Sequence, residues 1–343
     1  MKCYNTTKFS SKNVATQTGK TPKSGNFREY LTLMTYLNRF LAALAVLALG
    51  MAGLSAPQAA ERPSDGGLQV VATIPPVHSL VAGVMEGAGT PILLLDGNSS
   101  PHAYALKPSD ARALQQADLI FWIGPDLEAF LQGPLKATRL DDHAIALVDT
   151  PGLERHTLGK NEQVDPHIWL DPENAKIMVG HIAQMLTMRD PSRQALYENN
   201  ARHLVADLDR LTGRLRVQLA PVRTAPYVAL HDAYQYFEKR FGMKAQAVFT
   251  LSPDRPIGAA HARYVQTLFA DGKVACAFIE PQAPSKLVTT LTAGTNVTVA
   301  TLDAVGAGLT PGPALYETLM TNLADSFSTC LTGSQGDPSL KSN

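Results

Sequence analysis

No charge of either sign predominates in this chain: Lys plus Arg and Asp plus Glu each number 30. Without a net field, nothing draws the protein to nucleic acid or to an acidic membrane surface. Cysteine is scarce, three in 343 residues, and none stands in the short Cys/His spacings of a zinc finger. Catalytic signatures are missing as well, with no His-Glu-x-x-His, no Gly-x-Ser-x-Gly elbow and no Walker loop after residue 60. Nor does any stretch beyond that point have the run of about 20 apolar residues that crosses a bilayer. What remains, 45% hydrophobic and 17% charged, is the composition of a soluble globular protein, and the length suits two ordinary domains.

The one marked apolar run, residues 40–54, follows Arg39 and leads into Ser55-Ala56-Pro57-Gln58-Ala59-Ala60. A positive charge, a short apolar core and small exit residues make a secretory signal peptide, too short for a membrane anchor, with cleavage expected near Ala60. Residues 1–33 are polar and lie oddly upstream of such a leader, so Met34 is an alternative start. Export removes Cys3 and leaves Cys276 and Cys330, which should pair as a disulfide in an oxidising compartment. The absence of a cysteine at the end of the leader argues against a lipid-anchored protein.

Short apolar and β-branched runs then alternate with helical patterns. Strands are expected at 68–73, 91–95, 118–123 and 144–148, and again at 227–230, 246–249, 274–279 and 297–302. Helical stretches at 79–85, 109–116, 233–241 and 261–270 separate them, the alternation of parallel sheets with crossover helices. Between the sets, Leu204, Leu208, Leu211, Leu215 and Leu219 recur at steps of three and four, predicting one amphipathic helix over 191–219 that Asp190-Pro191 starts and Pro221 stops. The expected architecture is α/β: an N-terminal lobe at 61–189, a linking helix at 190–221, a C-terminal lobe at 222–333 and a flexible tail at 334–343.

Three of the nine histidines fall where such lobes present their ligand-binding edges. His231 directly follows the strand Tyr227-Val228-Ala229-Leu230, at a carboxyl end where open α/β sheets place ligands. His102 follows Ile92-Leu93-Leu94-Leu95 through a Gly/Asn/Ser/Pro loop, and His167 lies in the proline-bracketed Asp165-Pro166-His167-Ile168-Trp169-Leu170-Asp171-Pro172. Each has a carboxylate nearby to orient its ring, Asp110 for His102, Asp165 or Asp171 for His167, and Asp232 for His231, as ligating imidazoles require. Spacing alone leaves a metal site and three structural histidines both open. The others fit a cleft less well: His143 precedes a strand, His181 and His203 lie on helices, His156 is solitary in a polar loop, and His78 suits a helix start.

These motifs, together with Ile279-Glu280-Pro281-Gln282 and Thr301-Leu302-Asp303, resemble the metal-binding subfamily of periplasmic solute-binding proteins, in particular the high-affinity zinc receptors of ABC uptake transporters. The resemblance runs from about Val70 to Cys330. It implies two four-stranded α/β lobes joined by a single rigid helix, with the metal in the cleft between them. It implies His102, His167 and His231 as ligands, the Cys276 to Cys330 bridge, a membrane permease and cytoplasmic ATPase as partners, and a monomer that is no enzyme. Manganese receptors of the family carry a carboxylate where this chain has His231, and three imidazoles suit Zn²⁺ better. Pro101 stands where some zinc receptors have an acidic residue, so the fourth ligand is expected from Asp303, then water, with Glu280 as a reserve carboxylate. The long His-rich loop of many members is reduced to residues 151–164, which hold only His156. A secreted zinc hydrolase is the rival reading, since three histidines and a water also make a catalytic site, and Glu280 is its one obvious general base.

Overall fold

A computed structural model describes residues 67–159, 163–250, 257–283 and 286–335. The expected leader with Cys3, the start at Met34, the exit at Ala60 and most of the tail lie outside the described residues.

Two four-stranded parallel sheets organise the chain. The first is built from β1 (Val70–Ala72), β2 (Ile92–Leu93), β3 (Leu119–Trp122) and β4 (Ala144–Ala146), in the order β2-β1-β3-β4. A short antiparallel hairpin follows, β5 (Thr157–Leu158) with β6 (Gln163–Val164). The second sheet comprises β7 (Tyr227–His231), β8 (Ala247–Thr250), β9 (Cys276–Ile279) and β10 (Thr298–Thr301), in the order β10-β9-β7-β8. All eight expected strands are present. The second shrinks to two residues because it is an edge paired only with β1, yet Leu94 and Leu95 still donate to Ala72 O and Thr73 O.

Side-chain alternation along the strands divides the apolar residues between three cores. Val70 and Ala72, Leu119 and Phe121, and Tyr227 and Ala229 join one inner core shared by both lobes. Their neighbours point the other way: Val71, Ile120 and Trp122 serve an outer core of the first lobe. Val228 and Leu230 serve the equivalent core of the second. Central strands buried on both faces explain why these segments read as continuous apolar runs.

The helices are α1 (Pro75–Val84), α2 (Pro108–Gln116), α3 (Ala129–Thr138), α4 (Pro172–Arg189), α5 (Gln194–Leu219), α6 (Gln235–Phe241), α7 (Ala259–Ala270), α8 (Lys286–Thr292) and α9 (Leu315–Gln335). The long helix α5 has 26 residues, about 39 Å at 1.5 Å per residue. Leu208, Leu211, Leu215 and Leu219 are buried on one face while Arg210, Arg214 and Val217 stay exposed. That face packs on α1 and α4 on one side and on α9 on the other, so one helix braces both lobes. The helix begins at Gln194 and not at Pro191 as the sequence suggests. Pro191–Arg193 forms a separate 3-10 turn, held by the Asp190 carboxylate, which accepts from Ser192 Oγ and from Arg193 Nη1 at 2.8 Å.

The expected disulfide joins Cys276, at the start of β9, to Cys330 on α9 across a sequence separation of 54. Closing a loop of that size stabilises the fold by about 4 kcal/mol in the chain-entropy model. Among the described residues no helix is long and apolar enough to cross a membrane.

Candidate metal centre

The backbone brings three imidazoles to one point from three directions. His231 is the last residue of β7, a central strand, and is buried. His167 is also buried and immediately precedes the 3-10 turn Ile168–Leu170. That segment is fastened to the second lobe: Tyr236 Oη donates to Asp165 O at 2.8 Å, Trp169 Nε1 to Ala304 O at 2.8 Å, and Tyr316 Oη to Trp169 O at 2.7 Å. Half-exposed His102 comes from the loop after β2.

Nε2 of His167 lies 3.4 Å from Nε2 of His102 and 3.4 Å from Nε2 of His231. One nitrogen from each ring falls within 4.8 Å of the others, the sole such group of potential ligands among the described residues. They line a cavity of about 20 Å³ whose other walls include Pro101, Trp169, Ala283, Ala304 and Val305. It has room for a single ion or water, and Glu280 and Gln282 also line it.

Carboxylates stand behind two of the rings. Asp165 Oδ1 accepts from His167 Nδ1 at 2.7 Å and from its backbone N–H at 3.0 Å, turning Nε2 inward as the unprotonated nitrogen. Glu280 Oε1 sits 2.7 Å from His231 Nδ1, off the line of a hydrogen bond, and accepts from Tyr234 Oη at 3.0 Å. Burial holds the His167 imidazole well below its usual range, and the charge of His231 lowers it further, so the ring is neutral with a lone pair available. Burial likewise pushes the Asp165 carboxyl up to about 7 and that of Asp232 to about 6.

Of the orienting carboxylates suggested by the sequence, only Asp165 stands behind its ring. Asp110 accepts from Tyr104 Oη and Lys107 N, both at 2.8 Å, and so caps α2. Asp171 caps α4 through Glu173 N at 2.9 Å and takes two bonds from Arg240, both at 2.6 Å. Asp232 faces Gln235 Nε2 at 3.4 Å, leaving Glu280 as the carboxylate beside His231. Asp303 does not join the cluster. Its carboxylate accepts from Val305 N at 3.0 Å, Gly306 N at 2.9 Å, Ala307 N and Gln282 Nε2 at 2.9 Å, closing the turn that follows β10. An aspartate ahead of Gly306 and Gly308 is itself a turn signal, which the strand-end reading passed over.

The remaining histidines are placed elsewhere. Buried His78 in α1 reaches Pro91 O at 3.0 Å, and His143 Nδ1 reaches Ala117 O at 3.1 Å. His181 and His203 lie on α4 and α5, and His261 on α7 reaches Val248 O at 2.6 Å. His156, read from sequence as a solitary loop residue, is buried against Tyr236 with ring centroids 4.6 Å apart.

Paired parallel α/β lobes braced by one long helix thus carry an ion-sized histidine pocket at their seam. A family model described as zinc-uptake complex component A, periplasmic, matches residues 70–330. The chain is 38% identical over 305 residues to the high-affinity zinc uptake system protein ZnuA of Brucella suis, covering 77% of this chain and 91% of that one. It is 30% identical over 321 residues to the protein of the same name from Paracoccus denitrificans, covering 83% and 97%. In fold it is similar to the periplasmic zinc binding protein TroA from Treponema pallidum, with a TM-score of 0.70 at 24% identity, covering 78% and 99%. The chain belongs to the zinc-uptake component A family of periplasmic binding proteins.

Proposed function

We propose that this protein captures Zn²⁺ in the periplasm and delivers it to the membrane permease of an ABC importer powered by a cytoplasmic ATPase, with His102, His167 and His231 as its ligands. In this reading residues 1–60 are removed on export near Ala60, residues 61–189 and 222–333 are the two lobes, and 190–221 link them. One observation carries the ligand assignment: adjacent Nε2 atoms stand 3.4 Å apart. Two nitrogens bound to one tetrahedral zinc at about 2.05 Å are themselves separated by about 3.35 Å, whereas a hydrogen-bonded imidazole pair would close to about 2.9 Å.

The chemistry of the pocket fits this cargo. Neutral imidazoles suit zinc, and carboxylates behind two rings raise their basicity while offsetting the ion's charge. Three nitrogen donors disfavour manganese, which prefers oxygen. Asp303 is held in the turn after β10, with Val305 N, Gly306 N and Gln282 Nε2 on one oxygen and Ala307 N on the other, and it does not join the imidazole cluster, so the fourth position is assigned to water. A hydrolase is disfavoured, because Glu280, though it lines the cavity, has Oε1 engaged by Tyr234 and 2.7 Å from Nδ1 of His231, the nitrogen that does not converge with the other rings.

Metal analysis of untagged protein purified from the periplasm tests the cargo, and chelator competition on His231→Ala tests the site. One zinc per chain and a large loss in the variant are expected. Manganese in the native protein, or a variant that binds zinc like wild type, would overturn the reading.

A further inference from the structure

Gln282, just beyond β9, stands where the lobes meet beside the pocket. Its Nε2 donates to Gly97 O at 2.7 Å and to Asp303 Oδ1 at 2.9 Å, using both of its protons. Gly97 belongs to the first lobe and opens the loop that ends at His102. Asp303 belongs to the second lobe and gathers the amides of Val305, Gly306 and Ala307. The turn it makes lies directly on Gly97, where an added Cβ would stand 2.2 Å from Gly306 O. Two loops from opposite lobes therefore meet backbone to backbone, with one side-chain amide as the polar tie. His102 rides on the tied loop and is half-exposed, whereas His167 and His231 are buried.

We propose that Gln282 is a positioning residue for metal retention: by tying Gly97 O to Asp303 it holds the His102 loop against the second lobe and sets how long a bound ion stays. The inference rests on His102 being a zinc ligand, and it gives the EPQ segment a role apart from coordination. It also gives Asp303 one, as the anchor of the tie. Gln282 also lines the ion cavity, but both protons of its amide are spent on Gly97 O and Asp303 Oδ1, so the tie reaches the ion through the loop that carries His102.

The test measures Zn²⁺ release into excess chelator by stopped flow, with the visible spectrum of the Co²⁺-loaded protein as a readout of ligand geometry. Gln282→Met keeps the length of the side chain and removes both donors. It should release zinc about threefold to tenfold faster, the worth of one neutral hydrogen bond, with a weakened Co²⁺ band and an unchanged melting temperature for the metal-free protein. Gly97→Ala leaves Gln282 in place but drives the loops apart, and should accelerate release at least as much, which tests the same seam should the first variant fold poorly. In a His102→Ala background, Gln282→Met should add nothing. Wild-type release from both single variants, or the same acceleration with and without His102, would overturn the proposal. Wild-type release from His102→Ala alone would instead overturn the ligand assignment on which it rests.

Discussion

His167 and His231 are buried, each with a carboxylate oxygen 2.7 Å from its Nδ1, while His102 is half-exposed on a polar loop of the first lobe. The first two belong to one body: β7 carries His231, and the His167 segment is bonded to the second lobe through Tyr236, Ala304 and Tyr316. The His102 loop meets that body at Gly97 through Gln282. A receptor must hold its ion firmly and still give it up. If the three imidazoles are the ligands, as proposed, two held on one body and one on a loop tied at Gly97 would meet both demands, because loosening that loop would lower the ligand count while His167 and His231 stay in place.

The largest test of this contrast is ligand removal. His167→Ala and His231→Ala should each lower zinc affinity by more than about a hundredfold, beyond the usual loss for an orienting partner. His102→Ala should cost about tenfold to a hundredfold, since water can fill a tetrahedral position on the open side. Chelator competition measures all three, and circular dichroism should show an intact metal-free fold. Equal losses at the three positions would erase the distinction between fixed and movable ligands.

Next come the carboxylates that make the fixed wall. Asp165→Asn and Glu280→Gln should each weaken zinc by about tenfold to a hundredfold, as expected for groups that orient ligating imidazoles. The pH profile sharpens the point. An imidazole must be unprotonated to ligate, so affinity should fall as pH drops. Because burial already holds His167 well below the ordinary value of 6.5, protons compete for that ring only in the lower part of the range. Titrations from pH 5 to 8 should show a decline that steepens below 6.5; a flat profile would rule out an imidazole-dominated site.

A smaller effect is expected from Asp303→Asn. The amide oxygen can still accept from the turn that follows β10, and the variant loses a charge that does not face the imidazoles. Zinc affinity should change by less than about tenfold, below the loss for an orienting carboxylate. A loss matching that of His231→Ala would return Asp303 to the ligand set.

Local signals made the scaffold legible. The strands announce themselves because parallel strands buried on both faces must be apolar throughout, and the leucine steps of α5 report a face pressed on both lobes. His231 is readable because it terminates such a strand. What escaped is long-range or satisfied by backbone. Nothing near Gln282 in the sequence reveals Gly97 as its partner 185 residues away. Glu280 displaces the nearer Asp232 as the carboxylate beside His231 through tertiary packing alone. Asp303 has the strand-end position of a ligand, and its oxygens also accept from the three N–H groups of the turn that follows, a role its position in the strand does not announce. His156 sits in a stretch that reads as polar loop because the ring of Tyr236 that covers it comes from the other lobe.

The last prediction leaves the pocket wall altogether. Glu128 is fully buried in the first lobe, with Thr73 Oγ1 donating to one oxygen and Gly124 N to the other at 2.9 Å, and it does not line the metal cavity. Burial pushes its carboxyl up to about 7 from an ordinary 4.5, despite those two bonds. The folded state therefore binds this proton more tightly than the unfolded chain does. Between about pH 4.5 and 7 stability must then fall as pH rises, because the unfolded chain ionises freely while the folded one resists. Glu128→Gln removes the ionisation and keeps both contacts, since its oxygen can accept from Gly124 and the Thr73 hydroxyl can turn to accept from its amide. The variant should match wild type near pH 4.5 and gain stability towards pH 8, up to roughly 3 kcal/mol if the full shift is expressed. Chemical denaturation across that range measures the gain. Zinc affinity at pH 7.5 should stay within about twofold of wild type, well short of the loss for an orienting group. A gain at pH 4.5 as large as that at pH 8 would show that Glu128 stays ionised in the fold. A large loss of zinc would show that the first lobe's interior, and not only its His102 loop, is coupled to the ion.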